Sequence, residues 1–101
     1  MQFGLKPDTI ARIHGVLAAH PEIEEAVLYG SRAKGNYRVG SDIDLCLKGE
    51  ALTLTQLMKI ENELDDLMLP YKIDLSLHHA LDSPELIDHI HRVGIVFYPV
   101  A

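Results

Sequence analysis

The sequence predicts an α/β (α+β) domain in which a mixed sheet of about four strands carries helices packed on one face. Three observations indicate this fold class. The chain of 101 residues has room for one domain. Its apolar share of 48% is ordinary for a globular protein. Segments with a helical period alternate with segments that have the two-residue period of strands. We therefore expect residues 1–101 to form a single domain.

The first quarter of the chain predicts one helix and one buried strand. The helix is expected from Pro7, a residue suited to the first helical position, to about His20, because Pro21 cannot continue it. Residues 23–29 follow as a strand whose last four residues are all apolar. Gly30 then ends the strand and leads into a short turn or helix. The apolar residues with helical spacing are Ile10, Ile13, Val16 and Leu17.

Three later segments are predicted to be strands. Residues 42–48 alternate strictly, with Ile, Leu and Leu on one face and Asp, Asp, Cys and Lys on the other. Residues 71–78 repeat this alternation, and residues 95–98 form a short closing strand. The apolar faces should meet the helices, which leaves the polar face of two strands available for chemistry.

Two helices are predicted between these strands. One begins with a capping box formed by Thr53 and Gln56 and ends before Pro70. The other begins at Ser83-Pro84, where Ser83 is the N-cap, and Gly94 ends it. The expected apolar stripe of the first of them is Leu54, Leu57, Met58, Ile60, Leu64, Leu67 and Met68.

Composition limits the partners of the chain. With 15 acidic and nine basic residues the net charge is −6, so we expect no direct binding of long nucleic acid, which requires a basic face. There is no membrane-length apolar run and no signal-peptide pattern, so we expect no membrane association. Cys46 is the only cysteine, which favours a reducing compartment, and we predict the cytoplasm. We interpret it as a small packed thiol, and the six histidines as solvated or capping residues rather than zinc ligands.

Two acidic segments indicate a metal site. Asp42 and Asp44 lie two apart on one strand, so their carboxylates emerge on the same face, about 6.6 Å apart along the chain. Such a pair is repulsive without a cation, and carboxylates are the ligands that Mg²⁺ prefers. Asp74 lies on the polar face of the next strand and reaches the same cleft if the two strands are neighbours. The alternative is a solvated Asp-x-Asp pair with a structural Asp74.

A second group of residues indicates phosphate binding. At Gly30-Ser31 a strand gives way to a turn, where exposed backbone N–H groups and the Ser31 hydroxyl could bind a phosphate. Arg32, Lys34 and Arg38 place three of the nine cations within seven residues, where they could contact the β- and γ-phosphates or the departing pyrophosphate. The alternative is an ordinary solvated loop.

The joint motif resembles the signature of the DNA polymerase β-like nucleotidyltransferase superfamily. It consists of Gly30-Ser31, ten residues from Arg32 to Ser41, and Asp42-Ile43-Asp44. The chain is most similar to the minimal nucleotidyltransferase (MNT) family over nearly its whole length. The resemblance implies the nucleotidyltransferase fold and an ATP donor. It also implies two Mg²⁺ ions about 3.5–4 Å apart.

The resemblance assigns roles to individual residues. It implies that Asp42, Asp44 and Asp74 form the catalytic and metal-binding trio, in which Asp74 also activates the attacking hydroxyl. The nucleotide-binding residues are then Gly30, Ser31, Arg32, Lys34, Arg38 and Ser41.

The family also implies a partner. MNT proteins are similar to the antitoxin half of two-gene modules whose toxin is a HEPN-domain ribonuclease. The resemblance implies that the antitoxin transfers AMP from ATP to a tyrosine of the toxin within a hetero-oligomeric complex. One alternative is an antitoxin that inhibits by binding alone. Another is transfer to a small molecule such as an antibiotic, which the short chain disfavours because it leaves no separate acceptor-binding domain.

Overall fold

The computed structural model describes residues 1–99, and in this range the predicted alternation of helices and strands is present. No helix in this range is both long enough and apolar enough to cross a bilayer. The helices are α1 (Pro7–Ala18), α2 (Ser31–Lys34), α3 (Leu54–Asp65) and α4 (Pro84–Val93), with a 3₁₀ turn at His78–Ala80. The strands are β1 (Glu25–Tyr29), β2 (Ile43–Lys48), β3 (Ile73–Leu77) and β4 (Ile95–Tyr98).

The four strands form one mixed sheet in the order β3-β2-β1-β4. Strand β1 lies antiparallel to both β2 and β4, while β2 and β3 are parallel and joined through α3. A parallel pair requires such a crossover, and an α-helix normally supplies it. This topology confirms the predicted fold class of a four-stranded mixed sheet with helices.

Helices α1 and α3 pack on one face of the sheet, as the strand alternation predicts. The apolar side chains of β2, Ile43, Leu45 and Leu47, are fully buried in this core. They meet α1 and α3 side chains such as Ile13 and Ile60, which are also fully buried. At about 25 cal/mol per Å² of apolar surface, each of these side chains contributes about 1.5–3 kcal/mol to folding.

Helix α4 packs on the opposite face, so the expectation of helices on one face alone is corrected. Its Ile90 is 3% exposed and contacts Val27, Tyr29 and Cys46 in a second, smaller core. Cys46 is fully buried there, which makes it the packed thiol that the sequence predicts. The polar face of β2 is therefore covered at its middle and remains accessible at the end that carries Asp44.

The predicted stripe of α3 is wrong at three positions. Leu54 is 67% exposed, Met58 is 60% exposed and Met68 is 86% exposed. The helix ends at Asp65, and Met68 has a φ of 55°, so the chain has turned away before Met68. The residues of α3 that do reach the core are Leu57, Ile60 and Leu64.

The predicted N-caps are present. The Thr53 hydroxyl accepts a hydrogen bond from the Gln56 N–H at 3.1 Å, and the Ser83 hydroxyl accepts one from the Leu86 N–H at 3.3 Å. The second half of the capping box is absent, because the Gln56 amide donates to the Glu22 carboxylate at 2.9 Å instead. That bond ties the start of α3 to the loop before β1.

Candidate active site

Two of the three predicted carboxylates are direct neighbours in the sheet. In the parallel pairing of β2 and β3, Asp44 is opposite Asp74. Adjacent strands lie about 4.8 Å apart, so the two side chains emerge side by side on one face. Asp42 lies one residue before the start of β2, two residues from Asp44, and is exposed. The sequence places Asp74 in the cleft of Asp44 only if β2 and β3 are neighbours. The structure confirms that they are neighbours.

Asp44 is the electrostatically strained member of this trio. Burial raises the pKa of its carboxyl group above the ordinary value, and the like charges of Asp74 and Asp42 raise that pKa further. His89 acts in the opposite direction. A half-buried carboxylate next to two others is favourable only when positive charge is close by. The N-terminal end of β2, which carries Asp44, is therefore suited to binding a cation.

The trio fits a magnesium ion that enters with its nucleotide. Within residues 1–99, no three His, Cys, Asp or Glu side chains are close enough together to enclose a metal ion by themselves. Mg²⁺ does not need such enclosure, because it commonly takes one or two carboxylates and completes its shell with water and substrate phosphates. Hard oxygen donors at Asp42, Asp44 and Asp74 match that preference. Their role as ligands stays a prediction.

Gly30 is required by two features of its surroundings. Its φ of 75° and ψ of −156° lie outside the regions that side-chain-bearing residues prefer. In addition, a Cβ atom at this position would overlap the Asp44 Oδ2 atom. The backbone therefore passes directly against the central carboxylate, which only glycine allows.

The turn that is predicted to bind phosphate is present at Gly30-Ser31, but one of its N–H groups already has a partner. Ser31 starts the four-residue helix α2, and the N–H groups of Ser31, Arg32 and Ala33 have no intrahelical acceptor. The N–H of Gly30, however, donates to the Nε2 atom of His89 at 3.3 Å. The N–H groups that the geometry offers to a phosphate are thus those that follow Gly30, together with the half-buried Ser31 hydroxyl.

The Arg32 side chain is not available to a nucleotide in this arrangement, which corrects the role predicted for it, while its backbone N–H belongs to the turn that follows Gly30. Its side chain is 2% exposed and donates to the Ser41 carbonyl through Nε at 3.1 Å and Nη2 at 2.8 Å. Its Nη1 donates to the Phe3 carbonyl at 2.8 Å. The guanidinium lies 4.8 Å from the ring centroid of Tyr71 and 5.3 Å from that of Tyr37. Arg32 therefore fastens the loop before β2 instead of contacting phosphate.

Replacing Arg32 with alanine is expected to lower the free energy of unfolding by about 2–4 kcal/mol, because two carbonyls lose their donors and packing is lost. Urea denaturation measures this change. Arg38→Ala is the matched control, since Arg38 is an exposed cation of the same loop, and should change stability by about 0.5 kcal/mol or less. Equal effects of the two variants would contradict the structural role of Arg32.

The remaining predicted nucleotide ligands lie around this loop. Lys34 and Arg38 are exposed, so their side chains are available to a triphosphate. Ser41 shapes the turn that precedes Asp42: its hydroxyl accepts from the Arg38 N–H at 2.8 Å, and its own N–H donates to the Arg38 carbonyl at 3.0 Å. Gly40, with a φ of 84°, completes this turn. Nucleotide binding by Lys34, Arg38 and Ser41 remains a prediction.

Two residues at the site are not identified from the sequence. His89, interpreted above as solvated or capping, reaches the Gly30 turn from α4. Tyr29 precedes that turn, is 9% exposed and meets the His89 ring edge to face at 6.1 Å. Burial raises the pKa of Tyr29, and Asp44 and Asp74 add to this effect, so its phenol stays neutral beside the carboxylates.

A large apolar groove of about 650 Å³ lies elsewhere on the molecule. It is lined by the N-terminal residues, α1 and β4, including Phe3, Ile10 and Val96. None of the three carboxylates lines it. Because Mg²⁺ binds carboxylate oxygens, we place the candidate active site at the three carboxylates and not in the groove.

Comparisons with known proteins agree with this geometry. A family model described as polymerase beta, nucleotidyltransferase matches residues 11–99. No curated protein sequence matches the chain. A solved toxin–antitoxin with AMP-PNP has a TM-score of 0.73 at 19% identity, covering 90% of this chain and 73% of the other.

Two further solved structures are similar. A tri-AMPylated Shewanella oneidensis HEPN toxin in complex with MNT antitoxin gives a TM-score of 0.70 at 16% identity, covering 95% of this chain and 74% of the other. A Sulfolobus solfataricus protein assigned as a nucleotidyltransferase gives 0.51 at 20% identity, covering 94% and 90%. At such identities these likenesses establish the fold.

Proposed function

Because the chain belongs to the polymerase β nucleotidyltransferase family, we propose that it is a Mg²⁺-dependent nucleotidyltransferase that transfers AMP from ATP to a tyrosine of a partner HEPN ribonuclease toxin. The observation that carries this proposal is the pairing of Asp44 with Asp74 beside the Gly30 turn. A desolvated carboxylate with two acidic neighbours has a clear use in binding cations and little use in folding.

The carboxylate trio has two functions in this proposal. Asp42 and Asp44 hold Mg²⁺, and Asp74 completes the site. The ions, when bound, supply positive charge to the attacking and leaving oxygens of the transfer. Asp74, which is exposed on the edge strand β3, also accepts the proton of the acceptor hydroxyl. That proton transfer strengthens the nucleophile as it approaches the α-phosphorus.

The Gly30 turn and the following loop bind the donor. The Ser31 hydroxyl and the N–H groups at the start of α2 donate hydrogen bonds to the triphosphate, and Lys34 and Arg38 add positive charge. As the acceptor oxygen bonds to the α-phosphorus, the bond from that phosphorus to the bridging oxygen of pyrophosphate breaks. These cations then stabilise the departing pyrophosphate.

Protein acceptors are favoured by the fold neighbours. Of the similar structures, one is a HEPN toxin that carries AMP and is bound to its MNT antitoxin, and another contains AMP-PNP. The exposed position of Asp42 and Asp74 suits an acceptor side chain that a large partner presents. We therefore propose the toxin as both binding partner and substrate.

The test is a transfer reaction with purified components. The chain is mixed with ATP, Mg²⁺ and a HEPN-domain ribonuclease toxin, and both proteins are weighed by mass spectrometry. We expect the partner to gain the mass of one or more AMP groups on tyrosine, and none in the presence of EDTA. A partner whose mass and ribonuclease activity are both unchanged would contradict the proposal.

The double variant Asp42→Ala/Asp44→Ala separates catalysis from binding. Under our proposal it still forms the complex but adds no AMP and leaves the ribonuclease active. Complete neutralisation by this variant would show instead that occlusion is sufficient. Pyrophosphate released with a small hydroxylated acceptor, in the absence of any partner protein, would favour a small-molecule transferase.

A further inference from the structure

We propose that His89 on α4 is a positioning residue for nucleotidyl transfer, which holds the Gly30 turn in place against Asp44. The inference rests on the proposed function and adds to it a residue outside the joint motif. His89 is 59 positions from Gly30 along the chain. Three contacts of Gly30 and the packing of His89 itself support the assignment.

The first contact lies at the end of the β1–β4 ladder. That ladder ends where Leu28 pairs with Ile95, because β4 begins at Ile95 and only Gly94 separates it from α4. Gly30 lies two residues beyond the last pair, so β4 offers no acceptor for its N–H. A backbone donor that is shielded from water and has no partner is unfavourable, and Gly30 is partly buried. His89 Nε2 accepts this hydrogen bond at 3.3 Å.

The other two contacts of Gly30 link it to the reacting groups. Its carbonyl accepts the Lys34 N–H at 3.1 Å, which closes the single turn of α2 that begins with Ser31. Its Cα faces Asp44 so closely that a Cβ would overlap Oδ2. One peptide thus joins α4, the predicted phosphate-binding turn and the central carboxylate. A shift of Gly30 would therefore move Ser31 and change the room that is available to the Asp44 carboxylate.

His89 can act as a fixed support because its own position is set by packing. Its ring meets Tyr29 edge to face, with centroids 6.1 Å apart and an angle of 82° between the planes. The next residue, Ile90, is 3% exposed and anchors α4 in the second core with Val27 and Cys46. The packing of α4 and of the ring therefore holds the imidazole where it accepts the Gly30 N–H.

The kinetic test compares three variants in the AMP-transfer reaction. His89→Ala is expected to lower kcat about ten- to a hundredfold with a change in the KM for ATP of about threefold or less, because misplaced groups reduce the chemical step. His89→Gln, whose amide oxygen reaches the position of Nε2, should restore kcat to within about threefold. His91→Ala, on the same helix but next to His78, is the control and should match the original protein.

A second measurement does not depend on activity. Amide hydrogen exchange at Gly30 should accelerate about tenfold or more in His89→Ala and stay slow in His89→Gln, because a hydrogen-bonded amide exchanges only after it opens. Gly35 is the internal reference, since its N–H donates to the Ser31 carbonyl at 2.9 Å. If His89→Ala does not fold, His89→Asn, whose amide is too short to reach Gly30, replaces it.

The outcomes separate the two proposals. If the original protein transfers no AMP but Gly30 exchange responds to His89 as described, the proposed function fails and the support of the turn by His89 stands. Unchanged Gly30 exchange in His89→Ala overturns the positioning role. So does an equal loss of kcat in His89→Ala and His89→Gln, because the hydrogen-bond acceptor would then be irrelevant.

Discussion

Asp44→Asn is expected to lower nucleotidyl transfer about a thousandfold or more while making the protein more stable. Activity falls because the amide removes the charge that holds the cation at the centre of the site. Stability rises because the carboxylate is half-buried and lies between Asp42 and Asp74. Relieving such a functional strain commonly adds about 0.5–2 kcal/mol. Transfer assays and urea denaturation at neutral pH measure the two effects.

The pH dependence of this stabilisation follows from its cause. Because the folded state raises the pKa of Asp44, it holds that proton to higher pH than the unfolded chain does. The free energy of unfolding therefore decreases as pH rises through the folded pKa. The gain from Asp44→Asn should be fully present above that pKa and should vanish below the unfolded value, which is about 3.9 for aspartate.

Asp42→Asn provides the matched comparison. Asp42 is exposed and Asp44 is half-buried, so both variants should lose transfer, whereas Asp42→Asn should stabilise the fold less. If Asp44→Asn destabilises the protein at neutral pH, or retains transfer within about tenfold of the original, the carboxylate is not a strained catalytic group.

Gly30→Ala should have the second largest effect. The added methyl group overlaps the Asp44 Oδ2 atom, so either the turn or the carboxylate must move, and a displacement of about 1 Å at a reacting group can reduce the rate about a hundredfold. The φ of 75° with a ψ of −156° adds a backbone strain of about 1–3 kcal/mol, because this region is essentially restricted to glycine. Transfer rates and denaturation midpoints are the measurements.

The control for Gly30→Ala lies five residues further along the chain. Gly35 has a φ of 87°, close to the 75° of Gly30, but a Cβ there would meet nothing within 4 Å. With a ψ of 2°, Gly35 lies in the left-handed helical region, so Gly35→Ala should show a backbone strain of about 1–2 kcal/mol. Because no contact with Asp44 is disturbed there, transfer should stay within about threefold. Similar rates for both variants would show that contact with Asp44 is unimportant.

The acidic part of the site could be predicted from the sequence because strand alternation fixes which side chains share a face. Asp42, Asp44 and Asp74 each belong to such an alternating segment, and one pairing of β2 with β3 brings the latter two together. The position of Gly30 at the site was also predictable, because a strand precedes it and a turn follows it.

Other features depend on contacts between distant residues. Arg32 was expected at the phosphates because it belongs to a cationic loop, but its guanidinium donates to the Phe3 carbonyl and stacks on the Tyr71 ring. No local sequence pattern indicates either contact. His89 likewise meets Gly30 only when α4 crosses the sheet. The sequence of β1 did indicate that α4 packs on the second face of the sheet. Its four buried residues, which end at Tyr29, require cover on both faces.

The position of the divalent ion tests the central claim most directly. Addition of Mn²⁺ with AMP-PNP to the ¹⁵N-labelled protein should broaden the amide signals of Ser31, Asp44 and Asp74 strongly. Signals from residues that line the apolar groove, such as Ile10 and Val96, should remain sharp. Broadening centred on the groove, or equal broadening in the Asp42→Ala/Asp44→Ala variant, would contradict a metal site at the three carboxylates.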